Sequence, residues 1–292
     1  MSASVLLEFV ASLMSRPRVL LVAAITLALT STGCTTVEPV GVPGLLEPTN
    51  FKNWQPFLAV LPYATCDGQH VTVRNIRNCA YKTEYDYDVN LYDRTVDLYN
   101  LQSVDFIVVP FQDKPYLAHT MLSFGLGNDE YLCVSAEVRL EEGEEYSAIR
   151  GLFRQYELTY VVADERDLIR LRTRHRNADV YIYRTIATPE QSKDIFVDVM
   201  QRVNKLAMYP EFYDLVGNNC TTNIVNHVNR LRPNRVPYAM PVLLPGYADS
   251  YAYRLGLLDT KLSFEQTRRL AHVNQMAELY YDSPEFSKKI RR

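Results

Sequence analysis

The run Asn218-Asn219-Cys220-Thr221-Thr222-Asn223 sets a cysteine among amides and hydroxyls, just ahead of Ile224, Val225, Val228 and Leu231. That apolar spacing predicts a helix starting close to Cys220, and an asparagine before the cysteine suits an N-cap. A thiol at such a place meets unsatisfied backbone N–H groups and the positive end of the helix dipole. Both favour the nucleophilic thiolate, and both can hold the oxyanion of an acyl-transfer intermediate. Most free cysteines are instead small buried apolar residues, so the chemical reading needs a base. Of the five histidines, only His119 sits inside an apolar strand-like run, Tyr116 to Phe124. A general base for a thiol requires an imidazole held on a rigid element, which a strand supplies. On the following strand-like run, Ser135 and Glu137 share a face by alternation; either can accept the imidazole N–H, and Glu137 would also stabilise the imidazolium. His227 shares a helical face with Cys220 but lies two turns on, roughly 10 Å away. His175 falls in the basic stretch Arg170 to Arg176, read as a solvated edge, and His70 and His272 have no supporting context. The candidate set is therefore Cys220 with His119 and Glu137 as catalytic groups, and Asn219, Thr221 and Ser135 as oxyanion or positioning groups.

The elements that would hold these groups are predicted as follows. Strand-like runs cover His70 to Ile76, Arg94 to Leu98, and Val104 to Val109, the last bounded by Pro110. Leu117 to Phe124 and Glu130 to Val138 flank the turn signal Gly125-Leu126-Gly127-Asn128-Asp129, which predicts a hairpin. A further strand is expected at Asp179 to Tyr183. After it, Thr188 as N-cap and Pro189 at the first helical position open a helix whose apolar face is Ile195, Phe196, Val199, Val203 and Leu206. Strands mostly precede the main helices, so the fold class is α+β, with an antiparallel or mixed sheet and the Cys220 helix packed on it.

The N-terminal region reads as an export signal. Arg16 and Arg18 precede the apolar run Val19 to Leu29 and then Ser31-Thr32-Gly33-Cys34, a basic, apolar and small-residue succession too short for the ~20 residues of a spanning helix. Met14 is an alternative start. The site is similar to a bacterial lipobox, with Ser31 where leucine is usual, so Cys34 is the candidate lipidation site; ordinary cleavage with Cys34 as a spare thiol stays open. The expected organisation is a signal at 1–33, a Pro- and Gly-rich tether at 34–53, the domain bearing the Cys-His site at 54–235 and a helical extension at 236–292. With 47% hydrophobic and 11% aromatic residues, the remainder can build a sizeable core. A net charge of −3 gives no reason to expect nucleic acid as a partner. The absence of Cys-x-x-Cys, His-x-x-x-His and P-loop spacings points to no metal and no cofactor. Cys66 and Cys79, separated by the turn-like Asp67-Gly68, leave a disulfide and two free thiols both open, and Cys133 is expected in the core.

Several blocks recur in order: Glu137-Val138-Arg139, Gly143 to Ser147, Phe153 to Leu158, Val161 to Asp167 and Asn219 to Asn223. Together, from about Ser103 to Leu231, they resemble the Lnb N-terminal periplasmic domain family. The resemblance implies a permuted papain-like, NlpC-type fold in which a strand histidine precedes a cysteine at a helix start, roles that His119 and Cys220 match by position; Glu137 as the third group remains an inference from alternation. It further implies acyl transfer, as in N-acylation of bacterial lipoproteins, with an acyl group taken from phospholipid onto cysteine as a thioester and passed to an α-amino group. Phospholipid or lipoprotein would then be the partner, in the periplasm, with the outer membrane the expected site of a Cys34 anchor. Relatives with that activity carry a membrane-embedded C-terminal part, whereas this chain is expected to end in helices such as Phe264 to Leu279 and a solvated basic tail, Lys288 to Arg292. The acidic run Glu141 to Glu145 is a candidate partner for Arg150 or Arg154. Two other classes stand beside the acyltransferase: an envelope amidase or peptidase with the same dyad, and a non-catalytic envelope lipoprotein. An apolar groove at Cys220 would favour the first over the second, and the third requires Cys220 and His119 to be out of reach, or Cys220 to be bonded to Cys133.

Overall fold

The computed structural model describes residues 47–145 and 155–291; the export segment with Cys34, and Arg150 and Arg154, lie outside them. An eight-stranded sheet forms the centre. Its members are β1 (Tyr63–Asp67), β2 (His70–Arg77), β5 (Leu91–Asp97), β6 (Ser103–Phe111), β7 (Lys114–Gly125), β8 (Tyr131–Arg139), β9 (Glu157–Asp164) and β10 (Tyr181–Arg184), while β3 (Ala80–Tyr81) and β4 (Tyr87–Asp88) pair separately. The order is β1-β2-β9-β8-β7-β6-β10, with β5 also on β2. Every ladder is antiparallel except the short parallel link at Arg77 and Ala163 between β2 and β9. The protein is thus α+β with a mostly antiparallel sheet.

Sequence explains the central hairpin. Gly127, Asn128 and Asp129 all take positive φ, at 83°, 51° and 60°, residue types that tolerate the left-handed region. The chain therefore reverses between β7 and β8, which pair from Gly125 with Tyr131 to Met121 with Ser135. β9 was not expected as a strand, although Leu158 to Ala163 is a run of apolar and β-branched residues of the kind a doubly covered strand shows. Both faces of β9 are indeed buried.

Helices cover the two faces. On one side lie α3 (Pro189–Met208) and α4 (Cys220–Leu231), whose Phe196, Val199, Val203 and Cys220 share a core with Val108, Ala118, Leu122 and Phe124. α3 begins at the expected place, with Thr188 and Gln191 in a reciprocal capping box. On the other side lie α1 (Pro56–Ala59) and α2 (Glu165–Arg170) with its π-helical continuation Leu171–His175. Leu58, Leu168 and Ile169 there meet Ile107, Val109, Met121 and Cys133. The remaining α-helices among the described residues are α5 (Met240–Leu243), α6 (Ala248–Arg254), α7 (Phe264–Ala271), α8 (Asn274–Leu279) and α9 (Phe286–Lys289).

Three expectations are corrected. Phe264 to Leu279 is not one helix: Val273 donates its N–H to the Val180 carbonyl at 3.0 Å and His272 bridges Tyr181, so the chain breaks between α7 and α8 to cover the β10 edge. The C-terminal tail is only partly solvated: Lys288 is exposed, but Ile290 is buried and Arg291 pairs with buried Asp105 and Glu165 at 2.8 and 2.6 Å. The tether is tied to the domain before its expected end, at Thr49, Asn50 and Lys52, although Phe51 stays exposed: Thr49 donates to Glu157, Asn50 donates to the Leu206 and Ala207 carbonyls and Lys52 pairs with Glu157. Of the two states left open for Cys66 and Cys79, the structure has free thiols. Cys66 faces Val71 near the start of β2, and Cys79 follows its end, so at ~3.3 Å per residue roughly 25 Å of strand separates them, too far for a disulfide.

Candidate functional site

Helix α4 starts at Cys220, with Asn219 as its N-cap. The Asn219 Oδ1 accepts the Thr222 N–H at 2.9 Å, and the Thr222 hydroxyl accepts the Asn219 N–H at 2.8 Å. This reciprocal cap fixes the first turn, and Asn219 Nδ2 ties it to the Leu215 carbonyl at 2.7 Å. Among the described residues, the backbone N–H groups of Cys220 and Thr221 carry no hydrogen bond. They form a pair of free donors beside the thiol, at the positive end of the helix. Cys220 is buried, its Sγ 4.0 Å from the Ala118 carbonyl oxygen and 3.8 Å from Thr221 Oγ1. Thr221 turns its hydroxyl to Thr120 Oγ1 at 3.0 Å, so α4 lies on the β7 face that carries Ala118 and Thr120.

His119 projects from the opposite face. Its Nε2 is 2.6 Å from Ser135 Oγ, Ser135 Oγ is 2.8 Å from Glu137 Oε1, and Arg172 Nη2 donates to the same carboxylate oxygen at 2.9 Å. Burial pushes the Glu137 carboxyl up, but Arg172 first, then His119 and the Ser135 hydrogen bond, outweigh it and hold Glu137 at about 2. An ionised carboxylate only accepts, so the Ser135 hydroxyl donates to Glu137 and can only accept from His119. The imidazole therefore carries its proton on Nε2. Burial, reinforced by the Arg172 cation, lowers the His119 pKa to about 3, leaving a neutral ring whose Nδ1 lone pair has no hydrogen-bond partner among the described residues. The arrangement is a carboxylate–hydroxyl–imidazole relay whose neutral ring presents a free Nδ1 lone pair at its end.

The expected dyad is not assembled. His119, Ser135 and Glu137 are brought together as expected from alternation, and so are Asn219, Cys220 and Thr221, but the two sets occupy opposite sides of β7. The physical reason is the same alternation: Ala118 and Thr120 face α4, so the residue between them faces away. Ser135 is accordingly out of place as an oxyanion donor for Cys220, and the side chains of Asn219 and Thr221 are engaged in the cap and on Thr120. Cys133 also lies on the His119 face, so it cannot bond Cys220. The β7–β8 ladder ends at Met121 and Ser135, although both strands run on to His119 and Glu137, so no ladder pair joins Ala118 and His119 to β8, while on the other side both stay paired with Pro110 and Val109 of β6.

Sequence reasoning missed two residues. Arg172, read as part of a solvated edge, is only 4% exposed; its spacing of four from buried Leu168 puts both on one helical face, and that was the available signal. His227, set aside as too far from the thiol, is buried between Asp198 Oδ2 at 2.5 Å and the Tyr160 hydroxyl at 2.8 Å, where it locks α4 to α3 and β9. A cleft of about 460 Å³ lies along β10, lined by residues such as Tyr183, Leu262 and Ala271, and includes neither Cys220 nor His119.

A family model for the Lnb N-terminal periplasmic domain matches residues 87–246, more than half of the 292-residue chain. The chain belongs to this family. The match opens at β4 and closes at Gly246 after α5, so both halves of the candidate site fall within the Lnb N-terminal domain. No curated protein and no solved structure matches the chain. The family is one of periplasmic domains, and among the described residues no helix is long and apolar enough to cross a membrane.

Proposed function

We propose that this Lnb N-terminal domain is a cysteine-dependent acyltransferase of permuted papain-like type, acting on phospholipid or lipoprotein acyl groups from a membrane anchor at Cys34. One observation carries the reading: at the adjacent positions Ala118 and His119, β7 meets both a helix-start thiol and a neutral imidazole fixed by the Ser135–Glu137 relay. In the first half-reaction the Cys220 sulfur attacks an ester carbonyl and forms a C–S bond, while the C–O bond to the alcohol breaks. The thiol proton passes to His119 Nδ1 and on to the departing alkoxide. The free N–H groups of Cys220 and Thr221 hold the oxyanion. In the second half-reaction an α-amino group attacks the thioester, a C–N bond forms, the C–S bond breaks, and the amine proton returns through His119 to the sulfur. Because ring and thiol begin on opposite faces, productive geometry requires the imidazole to reach through the unlaced gap between β7 and β8.

The same opposition favours a second reading, a non-catalytic envelope module in which Cys220 is a packing residue and the His119 relay a structural one. Incubation with a labelled phospholipid separates the two. The acyltransferase reading expects a hydroxylamine-sensitive adduct that is lost in Cys220→Ala and forms far more slowly in His119→Ala; the binding-module reading expects no adduct at all. An adduct formed from a peptidoglycan fragment instead would assign the site to an amidase.

A further inference from the structure

Thirteen consecutive residues, from Val236 to Ala248, carry no charge in a chain that is 22% charged. Their inward positions, Val236, Val242, Pro245 and Ala248, are buried as expected of a core. The outward positions are apolar too. Tyr238, Met240 and Tyr247 are 56%, 43% and 52% exposed, and Leu243 and Leu244 are half-buried between them. A solvent-facing segment ordinarily places polar residues at such positions.

Loose packing does not explain the exposure, because the segment is held at several points. Tyr238 donates its hydroxyl to the Val216 carbonyl in the loop leading to Cys220, and the Tyr251 hydroxyl donates to the Pro237 carbonyl at 2.9 Å. Gly246 sits so close to β7 that a Cβ there would lie 2.0 Å from the Pro115 carbonyl oxygen, which excludes any larger residue. The segment thus braces the two elements that meet at the thiol, the start of β7 and the loop before α4. Cations outnumber carboxylates around it: exposed Arg232 and half-buried Arg235 lie just ahead of it and exposed Lys114 stands next to Pro115, against Asp113 on the same hairpin and Asp214, which acts on Tyr238.

We infer that residues 236–248 form a bilayer-docking surface that seats the Cys220 end of the domain on anionic phospholipid. Tyrosines with a free apolar body and a polar tip suit the headgroup boundary, methionine and leucine enter the acyl region, and the flanking arginines and lysine meet lipid phosphates. The inference rests on the reading of Cys220 as a thiol that takes phospholipid acyl groups, for which it supplies the surface where that substrate lies.

Hydrogen–deuterium exchange of the full chain, with and without vesicles of mixed phosphatidylglycerol and phosphatidylethanolamine, tests it segment by segment and does not depend on the N-terminal anchor. Vesicles should slow exchange across residues 238–247 at least about threefold in the wild type and equally in Cys220→Ala. Met240→Asp combined with Tyr247→Asp should abolish the effect, and because both side chains are exposed the fold should survive, as an unchanged melting temperature would show. Arg232→Glu provides an independent arm, weakening protection on the anionic vesicles. No vesicle-dependent protection of this segment overturns the proposal; so does protection that appears without lipid and grows with protein concentration, which would make the surface a contact between copies of the chain. Protection without acyl labelling sinks the catalytic reading alone, and labelling without protection sinks the docking surface alone.

Discussion

Cys220 and His119 meet β7 at adjacent positions from opposite sides: the thiol lies 4.0 Å from the Ala118 carbonyl, and the imidazole bonds Ser135 at 2.6 Å across the strand. The domain therefore holds a nucleophile and a base each in a prepared environment, with one strand between them.

Acid should weaken the fold through the His119 relay. The folded His119 pKa lies below its ordinary value of 6.5, so the unfolded chain takes up the proton first. The stability this contributes is complete above pH 6.5 and falls as pH drops toward the folded value, by at most about 1.4 kcal/mol per pH unit for one proton. Glu137, also lowered, adds a loss only below about pH 4.5. Urea midpoints at pH 8, 6.5 and 5 should show the decline in the wild type and a shallower one in His119→Gln.

Removing Arg172 should cost more than an exposed arginine does. Arg172→Ala leaves the Glu137 carboxylate, 16% exposed, half-paired in a largely buried setting, a loss of up to roughly 3 kcal/mol by the behaviour of broken buried pairs. Adding Glu137→Gln should recover part of it, because the uncompensated charge is gone. Equal losses in the single and double variants would show that the guanidinium acts through packing alone.

Arg291 is expected to anchor the C-terminus rather than trail in solvent. It neutralises Asp105 and Glu165, both almost fully buried, with contacts of 2.8 and 2.6 Å. Arg291→Ala should therefore destabilise by about 3 kcal/mol or more, and high salt should change that penalty little, since buried pairs are weakly screened. A change below about 0.5 kcal/mol, typical of surface sites, would contradict the packing described.

Thiol accessibility gives a simple map. Cys66 is exposed, while Cys79, Cys133 and Cys220 are buried. Native protein treated with a bulky maleimide should be modified first at Cys66 within the folded unit, with Cys79 and Cys133 reacting only on unfolding. A peptide linking Cys66 to Cys79 after non-reducing digestion would contradict the arrangement of β2.

Much of the site was legible locally, and the limits of that legibility are physical. The helix start at Cys220, its Asn219 cap and the Thr188 cap of α3 are short-range features written in a few adjacent residues. Alternation likewise placed Ser135 and Glu137 on one face, with His119 expected to reach them from the neighbouring strand. Which face α4 covers is a tertiary choice, decided by the apolar series Ala118, Leu122 and Phe124, and no short-range pattern at Cys220 reports it. Arg172 escaped for a similar reason, because a basic run reads as solvated until its buried partner is known. The C-terminal basic run misled in the same way, since Asp105 and Glu165 lie far away in sequence.

The central claim, that Cys220 carries an acyl group, is tested most directly by intact-protein mass spectrometry after incubation with a phospholipid donor. The account predicts one added acyl mass, removed by hydroxylamine, absent in Cys220→Ala and slowed at least about a hundredfold in His119→Ala, as general-base loss implies. An acyl mass that persists in Cys220→Ala, or no acyl mass on wild-type protein docked to vesicles, would contradict it.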